Sequence, residues 1–256
     1  MKSLSVFIFF IPLFLVAQTE QKNSKLLFDD IIKLGLTAGY QNNFEKNETT
    51  VGYEYEIDVT NHYLVGLDWM FARTGKFLFK TGVYYESFES NSYLRVPGSF
   101  INIPDDFIEN DTRNLSFYTL ELGTEYLYKI NETNFLSFGL SIDMRWLNKD
   151  DKFARGRVLS SPSSENELLL INQSTSEGFI DFPISLNYYY KTNSSGLFKL
   201  GVSGSVFNDR IYNDQIEYFD QTNNNFRSSL HGLRRKHIQF SLSWFPPKKW
   251  FSKNPN

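Results

Sequence analysis

The chain has 256 residues, no cysteine and a nearly balanced charge, with 26 Lys and Arg against 29 Asp and Glu. The absence of cysteine excludes disulfides, thiolate metal sites and a lipid-modified N-terminal cysteine. A net charge of −3 gives no reason to expect nucleic acid as a partner. Aromatic residues form 17% of the chain, an enrichment that favours β-strands and is typical of membrane barrels with aromatic girdles.

The extreme N-terminus has the order of a secretory signal. Lys2 precedes a mostly apolar run from Leu4 to Val16, and the small residue Ala17 follows. The apolar run is too short to span a bilayer as a helix. We therefore predict a signal peptide at residues 1–17 that is cleaved after Ala17, so that the mature chain is exported. An uncleaved N-terminal anchor is the alternative.

Eight later segments alternate between apolar and polar residues with a period of two. This pattern predicts β-strands, because successive side chains on a strand point to opposite faces. The predicted strands lie at residues 32–40, 53–71, 77–86, 118–128, 136–146, 180–190, 198–206 and 238–244. In the second, "YEYEIDVTNHYLVGLDWMF", every odd position except Asn61 is apolar or aromatic. This segment is far longer than the usual strand of about 5–6 residues.

The connections between the predicted strands alternate strictly in length. The short ones are at 72–76, 129–134 and 191–196, the long polar ones are at 89–114, 148–177 and 208–234, and the first, at 41–52, is intermediate. In an up-and-down antiparallel barrel, consecutive connections lie at opposite ends. Outer-membrane barrels show this asymmetry, with short periplasmic turns and long extracellular loops.

The alternation alone does not tell which face is outward, because a soluble eight-stranded barrel would direct its apolar face inward around a ligand. Aromatic residues lie at both ends of the apolar face, as the two girdles of a membrane barrel do. The predicted girdle at the long-loop end comprises Tyr40, Tyr63, Tyr85, Tyr118 and Trp146. The predicted girdle at the short-turn end comprises Trp69, Phe71, Phe77, Tyr126, Tyr128, Tyr188, Tyr190 and Trp244.

These observations predict an all-β protein, an eight-stranded antiparallel up-and-down transmembrane β-barrel with short periplasmic turns and long extracellular loops. We predict the barrel at residues 31–245, a periplasmic N-terminal segment at residues 18–30 and a periplasmic C-terminal tail at residues 246–256. The predicted location is the outer membrane.

The predicted inward face collects charged and histidine side chains. They are Lys33, His62, Asp68, Lys80, Glu86, Glu121, Glu125, Asp143, Arg145, Asp181, Lys199 and His237. Two interpretations are an ion or proton path and a plug of paired charges. The interior of an eight-stranded barrel is just wide enough for side chains to fill, which favours the plug.

No motif for catalysis or cofactor binding stands out in the sequence. His62 and His237 fall on the inward face, and His231 lies in a long connection near Ser228 and Ser229 without further support for a nucleophile and its base. Phosphate loops and the spacings of zinc and calcium sites are absent from the sequence. We therefore predict no enzyme, no cofactor, and no catalytic, cofactor-binding or metal-binding residue.

The segment "GFIDFPISLNYYYK", with Pro183 in mid-strand, resembles a strand of the PorT-like outer-membrane β-barrel family of Bacteroidetes. The layout of residues 18–245 is similar to that family as well, and "LSFYTLELGTEYLYK" is a weaker similarity that lacks the proline. One departure is that the chain continues past Phe245 with "PPKKWFSKNPN", whereas many outer-membrane barrels end on an aromatic residue. The resemblance implies an outer-membrane barrel, and it suggests a role in a secretion apparatus, because the family includes a component of one.

The expected function is therefore that of a non-enzymatic integral outer-membrane protein. It would act through its extracellular loops or as a subunit of an outer-membrane assembly. A narrow pore or small-solute transporter is the first alternative, and a lipid-modifying enzyme is the second. The expected partners are outer-membrane lipids and a protein bound at the loops or in a secretion assembly, with no nucleic acid. Apolar stretches in the long connections, "SYLRVPGSFINIPDDF" and "ELLLIN", suggest either a partner surface or loops that pack on each other.

Overall fold

The computed structural model describes most of the chain from Asp29 to Phe251. The described residues are 29–43, 48–50, 53–100, 104–151, 154–161, 164–175, 178–205, 212–220, 225–231 and 237–251. The predicted signal peptide at 1–17 lies outside the described residues, as do residues 18–28 and 252–256. No helix in these described ranges is long and apolar enough to cross a membrane.

The described residues form fourteen strands and three single-turn 3₁₀ helices. The strands are β1 (Leu34–Asn43), β2 (Glu48–Thr50), β3 (Tyr53–Thr74), β4 (Phe77–Val96), β5 (Phe107–Lys129), β6 (Asn134–Leu147), β7 (Ala154–Ser161), β8 (Ser164–Thr175), β9 (Gly178–Asp181), β10 (Ile184–Thr192), β11 (Gly196–Ser205), β12 (Tyr212–Asp220), β13 (Asn225–His231) and β14 (His237–Phe245). The 3₁₀ helices are Gly98–Phe100, Lys149–Asp151 and Lys248–Trp250.

Eight of these strands close into an antiparallel ring. Its order is β1, β3, β4, β5, β6, β10, β11, β14, and β14 pairs back with β1. Each strand of the ring pairs with the strands that precede and follow it in the chain, and closure leaves the ring without an exposed edge. The predicted fold, an eight-stranded antiparallel up-and-down barrel, is confirmed.

The sixth predicted strand is divided in two at its proline. β9 pairs with β6 from Asp143 to Trp146, and β10 pairs with the same strand further down. Phe182 and Pro183 separate them, because proline has no backbone N–H to donate to the ladder. The carbonyl of Pro183 still accepts a hydrogen bond from the backbone N–H of Ser141 at 3.1 Å.

The connections at the long-loop end, which the sequence predicts as long polar loops, are largely built of strands. β4 and β5 pair as far as Val96 and Phe107, so their connection is much shorter than the predicted 89–114. Strands β7, β8, β12 and β13 arise within the predicted loops 148–177 and 208–234 and form a separate four-stranded antiparallel sheet. The polar composition concealed these strands, because a ribbon in water needs apolar residues on one face only.

A bulge in β3 reverses the faces of this long strand at Asn61. The register between β3 and β4 shifts between Thr60 and Tyr63, and Asn61 has a positive φ of 55°. Below the bulge the outward side chains are Tyr63, Val65, Leu67 and Trp69, whereas above it Tyr53, Tyr55 and Ile57 are buried and Glu54, Glu56 and Asp58 are exposed. The extra residue turns the odd positions from outward below the bulge to inward above it, so the apolar residues of this strand do not share one face.

Candidate functional site

The outer wall of the barrel carries a band of exposed apolar side chains. Its members include Leu36, Val65, Leu67, Val83, Leu122, Leu140, Ile184, Leu186, Leu200, Val202 and Leu242. Neighbouring strands place these side chains directly opposite one another, as Leu36 opposite Leu67 and Leu67 opposite Val83. A contiguous apolar surface of this extent marks contact with a partner or a membrane.

The two predicted girdles border this band. At the long-loop end Tyr40 is opposite Tyr63, and Tyr118 lies between Tyr85 and Trp146 on the neighbouring strands. All five of these side chains are exposed. At the short-turn end Trp69, Phe77, Tyr126, Tyr128, Tyr188 and Tyr190 are exposed, whereas Phe71 and Trp244 are half-buried.

Above the upper girdle the apolar residues change from the outward to the inward face. On β4 the outward positions run from Val83 and Tyr85 to Ser87, Glu89 and Asn91. On the inward face of the same strand, Lys80 and Glu86 give way to Phe88, Leu94 and Val96, all three of which are buried. The barrel therefore exposes apolar side chains and buries polar ones. The extension above it, formed by the upper parts of β3, β4 and β5, does the reverse.

An apolar cluster fills the extension above the barrel. Its buried members are Tyr53, Tyr55, Ile57, Phe88, Leu94, Val96, Leu115, Phe117, Leu147, Phe179 and Ile216. Leu94 and Val96 belong to the apolar stretch "SYLRVPGSFINIPDDF", so this part of the stretch packs within the extension rather than on an exposed patch. The side chains of "ELLLIN" lie outside the described residues.

A second apolar cluster fills the short-turn end. Its members are Ile31, Met70, Leu78, Leu127, Phe135, Tyr189, Leu197 and Phe245. The two ends of the described chain meet beside it, because the backbone N–H of Ile32 donates to the carbonyl of Pro246 at 2.8 Å. The polar interior therefore lies between two apolar clusters.

Two lysines and three carboxylates form an ion network inside the barrel. The ammonium of Lys80 lies 2.5 Å from Glu121 Oε1 and 3.2 Å from Glu125 Oε1. The ammonium of Lys199 lies 3.4 Å from Asp68 Oδ2 and 3.6 Å from Glu125 Oε1. Each lysine thus touches two carboxylates. Lys80 on β4 pairs with the neighbouring strand β5, whereas Lys199 on β11 reaches across the ring to β3 and β5.

Two inward tyrosines complete this network. The hydroxyl of Tyr189 donates to Glu125 Oε2 at 2.6 Å. The hydroxyl of Tyr84 contacts Asp68 and also lies 2.8 Å from Glu121 Oε2. Neither tyrosine is among the predicted interior residues, although the strand alternation places Tyr84 on the same face as Lys80.

Arg145 organises a second ion network nearer the long-loop end. Its guanidinium lies 3.1 Å from Glu86 Oε2 and 3.4 Å from Asp143 Oδ2. Glu86 also accepts a hydrogen bond from the Thr119 hydroxyl at 2.5 Å and lies 3.3 Å from Nε2 of His62. These buried charges are paired and hydrogen-bonded, as burial requires.

Eleven of the twelve predicted interior residues face the interior, and Lys33 is the exception. Lys33 is exposed and precedes β1, which begins at Leu34, so the expectation that it lines the lumen was wrong. His237 is buried on β14, and Asp181 is buried on β9. The mixed charges and their pairing favour a plug over an open ion path.

The three histidines considered as a catalytic base lie on three different strands, His62 on β3, His231 on β13 and His237 on β14. His62 contacts Glu86, and Phe88 lies against its ring at a centroid distance of 4.8 Å. His231 belongs to strand β13 rather than to a loop, and its side chain lies outside the described residues, as do those of Ser228 and Ser229. Within the described part of the chain, no group of three or more His, Cys, Asp or Glu side chains could hold a metal ion.

A charged clamp closes the hairpin between β4 and β5. Asp106 accepts hydrogen bonds from Arg95 Nε at 2.9 Å and from the backbone N–H of Gly98 at 3.0 Å. The Gly98 bond and then the Arg95 contact hold the pKa of the Asp106 carboxyl below its usual range. The clamp fixes the tip of the extension above the barrel.

No model of a known protein family matches the chain, and a search of curated proteins finds no similar sequence.

Proposed function

We propose that this protein is an integral outer-membrane β-barrel that is exported by its N-terminal signal, has no enzymatic activity, and presents the extension above the barrel to a protein partner. The observation that carries the proposal is the reversal of the apolar face at the upper girdle. A bilayer around the barrel and water around the extension explain both halves of this pattern.

The height of the apolar band supports the membrane placement. Tyr118 and Tyr128 on β5 are both exposed, and they stand ten positions apart on the same face. That spacing gives about 33 Å along the strand, or about 25 Å along the membrane normal for a strand tilted by about 40°. The apolar band of a typical outer-membrane barrel is about 25 Å tall.

The filled interior favours a structural or binding role over a pore. The ion pairs of Lys199 with Asp68 and Glu125 cross the lumen, and the two apolar clusters lie beyond them at either end. Moving an ion through this interior would require breaking several buried ion pairs, each of which is costly to disrupt. Planar-bilayer recording of the purified protein is expected to give no steady conductance, and a stable open channel would replace this proposal with the pore.

The extension is the best candidate for the contact with a partner. Binding residues often lie on segments that a rigid scaffold holds in position. Here the scaffold is the barrel, and the extension comprises the upper parts of β3, β4 and β5 with the tip at 97–106. Because the chain resembles the PorT-like family, we expect the partner to be a subunit of a secretion assembly.

Two measurements test the proposal in sequence. Folding into lipid vesicles, scored by heat-modifiable gel mobility, tests the membrane barrel, and a chain that stays soluble without detergent would contradict it. Copurification from mild detergent then compares the native protein with a variant in which a Gly-Asn turn replaces residues 97–106. Loss of a copurifying protein from a folded variant supports the binding role, and an unchanged set of partners contradicts it.

A further inference from the structure

An apolar groove crosses the outer wall of the barrel where β10, β11 and β14 lie side by side. Its volume is about 410 Å³, and it is lined by Tyr188, Tyr190, Phe198, Leu200 and Leu242. Leu200 is directly opposite both Tyr188 and Leu242 in the sheet, so the groove follows one level of the wall across three strands.

The lower end of the groove adjoins the segment that follows β14. Phe198 in the groove is directly opposite Trp244, and the ring of Trp244 lies 5.7 Å from that of Trp250. The indole N–H of Trp244 also donates to the carbonyl of Ser195 at 2.7 Å, which holds the indole at the turn. In the segment "PPKKWF", Lys248 and Lys249 directly precede Trp250, which belongs to this aromatic pair at the end of the groove.

This end of the barrel is positively charged. The short-turn segments 29–33, 73–76, 129–133, 191–195 and 246–251 contain seven Lys or Arg and three Asp or Glu. At the opposite end, residues 53–60 and 87–116 contain two Lys or Arg and eight Asp or Glu. Lys248 and Lys249 are exposed at this end of the barrel.

We propose that the groove and Lys248 and Lys249 together bind one anionic phospholipid of the leaflet at the short-turn end. The acyl chain occupies the groove, Trp244 and Trp250 lie at the depth of the interface, and the two lysines contact the headgroup phosphate. Tryptophan favours membrane interfaces, and a basic residue near the surface adds about 1 kcal/mol of attraction to anionic lipid, or about fivefold in affinity. This site rests on the proposed membrane placement and gives the barrel a preferred lipid.

Native mass spectrometry of the full-length protein in mild detergent, with equal amounts of phosphatidylglycerol and phosphatidylcholine, tests the site. The wild type is expected to retain phosphatidylglycerol preferentially. The double variant Lys248→Gln, Lys249→Gln is expected to lose about fivefold of that preference for each lysine. Lys149→Gln is the matched control, because Lys149 is exposed but lies at the long-loop end, and it is expected to keep the preference.

A second pair of variants tests the groove itself. Leu200→Trp fills the groove and is expected to reduce the retention of both lipids, whereas Leu122→Trp, on an exposed leucine outside the groove, should leave retention unchanged. Equal retention of the two lipids by the wild type, or an equal loss in Lys149→Gln, would overturn the inference. Heat-modifiable mobility is scored for every variant, so a folded barrel without lipid preference refutes only this site, and a chain that does not enter detergent refutes the membrane barrel.

Discussion

Asp143 on β6 and Asp181 on β9 lie directly opposite each other across an antiparallel strand pair inside the barrel. Both side chains are buried, and like charges that face each other in this way destabilise a sheet. Asp143 contacts Arg145, whereas Asp181 accepts hydrogen bonds from the Ser205 hydroxyl and the backbone N–H of Phe182. Substitutions at Asp181 can therefore remove its charge either with or without removing its hydrogen bonds.

The variant Asp181→Asn is expected to leave the free energy of unfolding unchanged or to raise it. Asparagine keeps an acceptor oxygen for Ser205 and Phe182 and removes one of the two facing charges. Asp181→Leu, the comparison variant, leaves both donors without their acceptor and should cost about 1–3 kcal/mol. Urea unfolding in detergent micelles measures both, and an equal loss in the two variants would contradict the importance of the hydrogen bonds.

Replacing Arg145 by Met is expected to destabilise the barrel by about 3–5 kcal/mol, because it leaves buried carboxylates without their cation. Glu86 and Asp143 both contact the guanidinium, at 3.1 and 3.4 Å. Arg95→Met is the control, since Arg95 pairs with Asp106 on the exposed hairpin and an exposed pair contributes at most about 1 kcal/mol. A loss in Arg145→Met no larger than that of the control would show that the interior charges do not depend on this cation.

The bulge at Asn61 is expected to respond to the backbone preference of the residue placed there. Asn61 has a φ of 55°, a conformation that asparagine and glycine accept more readily than other residues. Asn61→Gly should therefore be nearly neutral, whereas Asn61→Val should cost about 1–2 kcal/mol. Thermal unfolding in micelles distinguishes them, and equal stability of the two variants would mean that the left-handed conformation is absent from the folded protein.

Acidification is expected to loosen the tip of the β4–β5 hairpin before the barrel unfolds. The Gly98 and Arg95 contacts lower the pKa of Asp106 in the folded state. The carboxylate therefore stabilises the tip at any pH above its unfolded pKa, and this contribution is lost as the pH falls through the lower, folded value. Hydrogen exchange at the Gly98 amide, corrected for its intrinsic pH dependence, should accelerate in that range in the wild type, whereas Asp106→Asn should show no such transition.

The sequence predicted the ring of eight strands because every one of them alternates with a period of two. It did not reveal the bulge, for a physical reason. Residue Asn61 reverses the faces of β3 near the level where the proposed membrane ends and the preferred face reverses too. The two reversals cancel, so the odd positions other than Asn61 itself stay apolar from Tyr53 to Trp69. β4 has no bulge at this level. Its apolar positions therefore change from odd to even at Phe88, and this change can be read in the sequence.

The interior network was partly predictable for a related reason. Alternation found the charged residues, whereas residue type misled at the tyrosines, which were expected mainly in the girdles. Tyr84 and Tyr189 lie inside because their positions on the strand direct them inward, whatever their preference for an interface. The contacts between distant residues, such as Lys199 with Asp68, depend on ring closure and strand stagger, which alternation does not specify.

Arginine substitutions at different heights on the outer wall test the membrane placement on which the proposed function depends. Leu122 and Leu140 are exposed near the middle of the apolar band, and Tyr40 and Trp146 are exposed in the upper girdle. Arginine at either leucine is expected to destabilise the barrel in bilayers by about 2–4 kcal/mol, and arginine at either girdle position by about 0–1 kcal/mol.

The same series separates the membrane barrel from a water-soluble one, because exposed leucines in water would tolerate arginine with little cost at any height. Folding into lipid vesicles, scored by heat-modifiable mobility across a urea series, gives the free energies. A cost that is greatest at Leu122 and Leu140 and falls toward Tyr40 and Trp146 supports a bilayer around the band. A uniform cost along the wall would contradict it, because only a surrounding medium that changes with height makes the same substitution depend on depth.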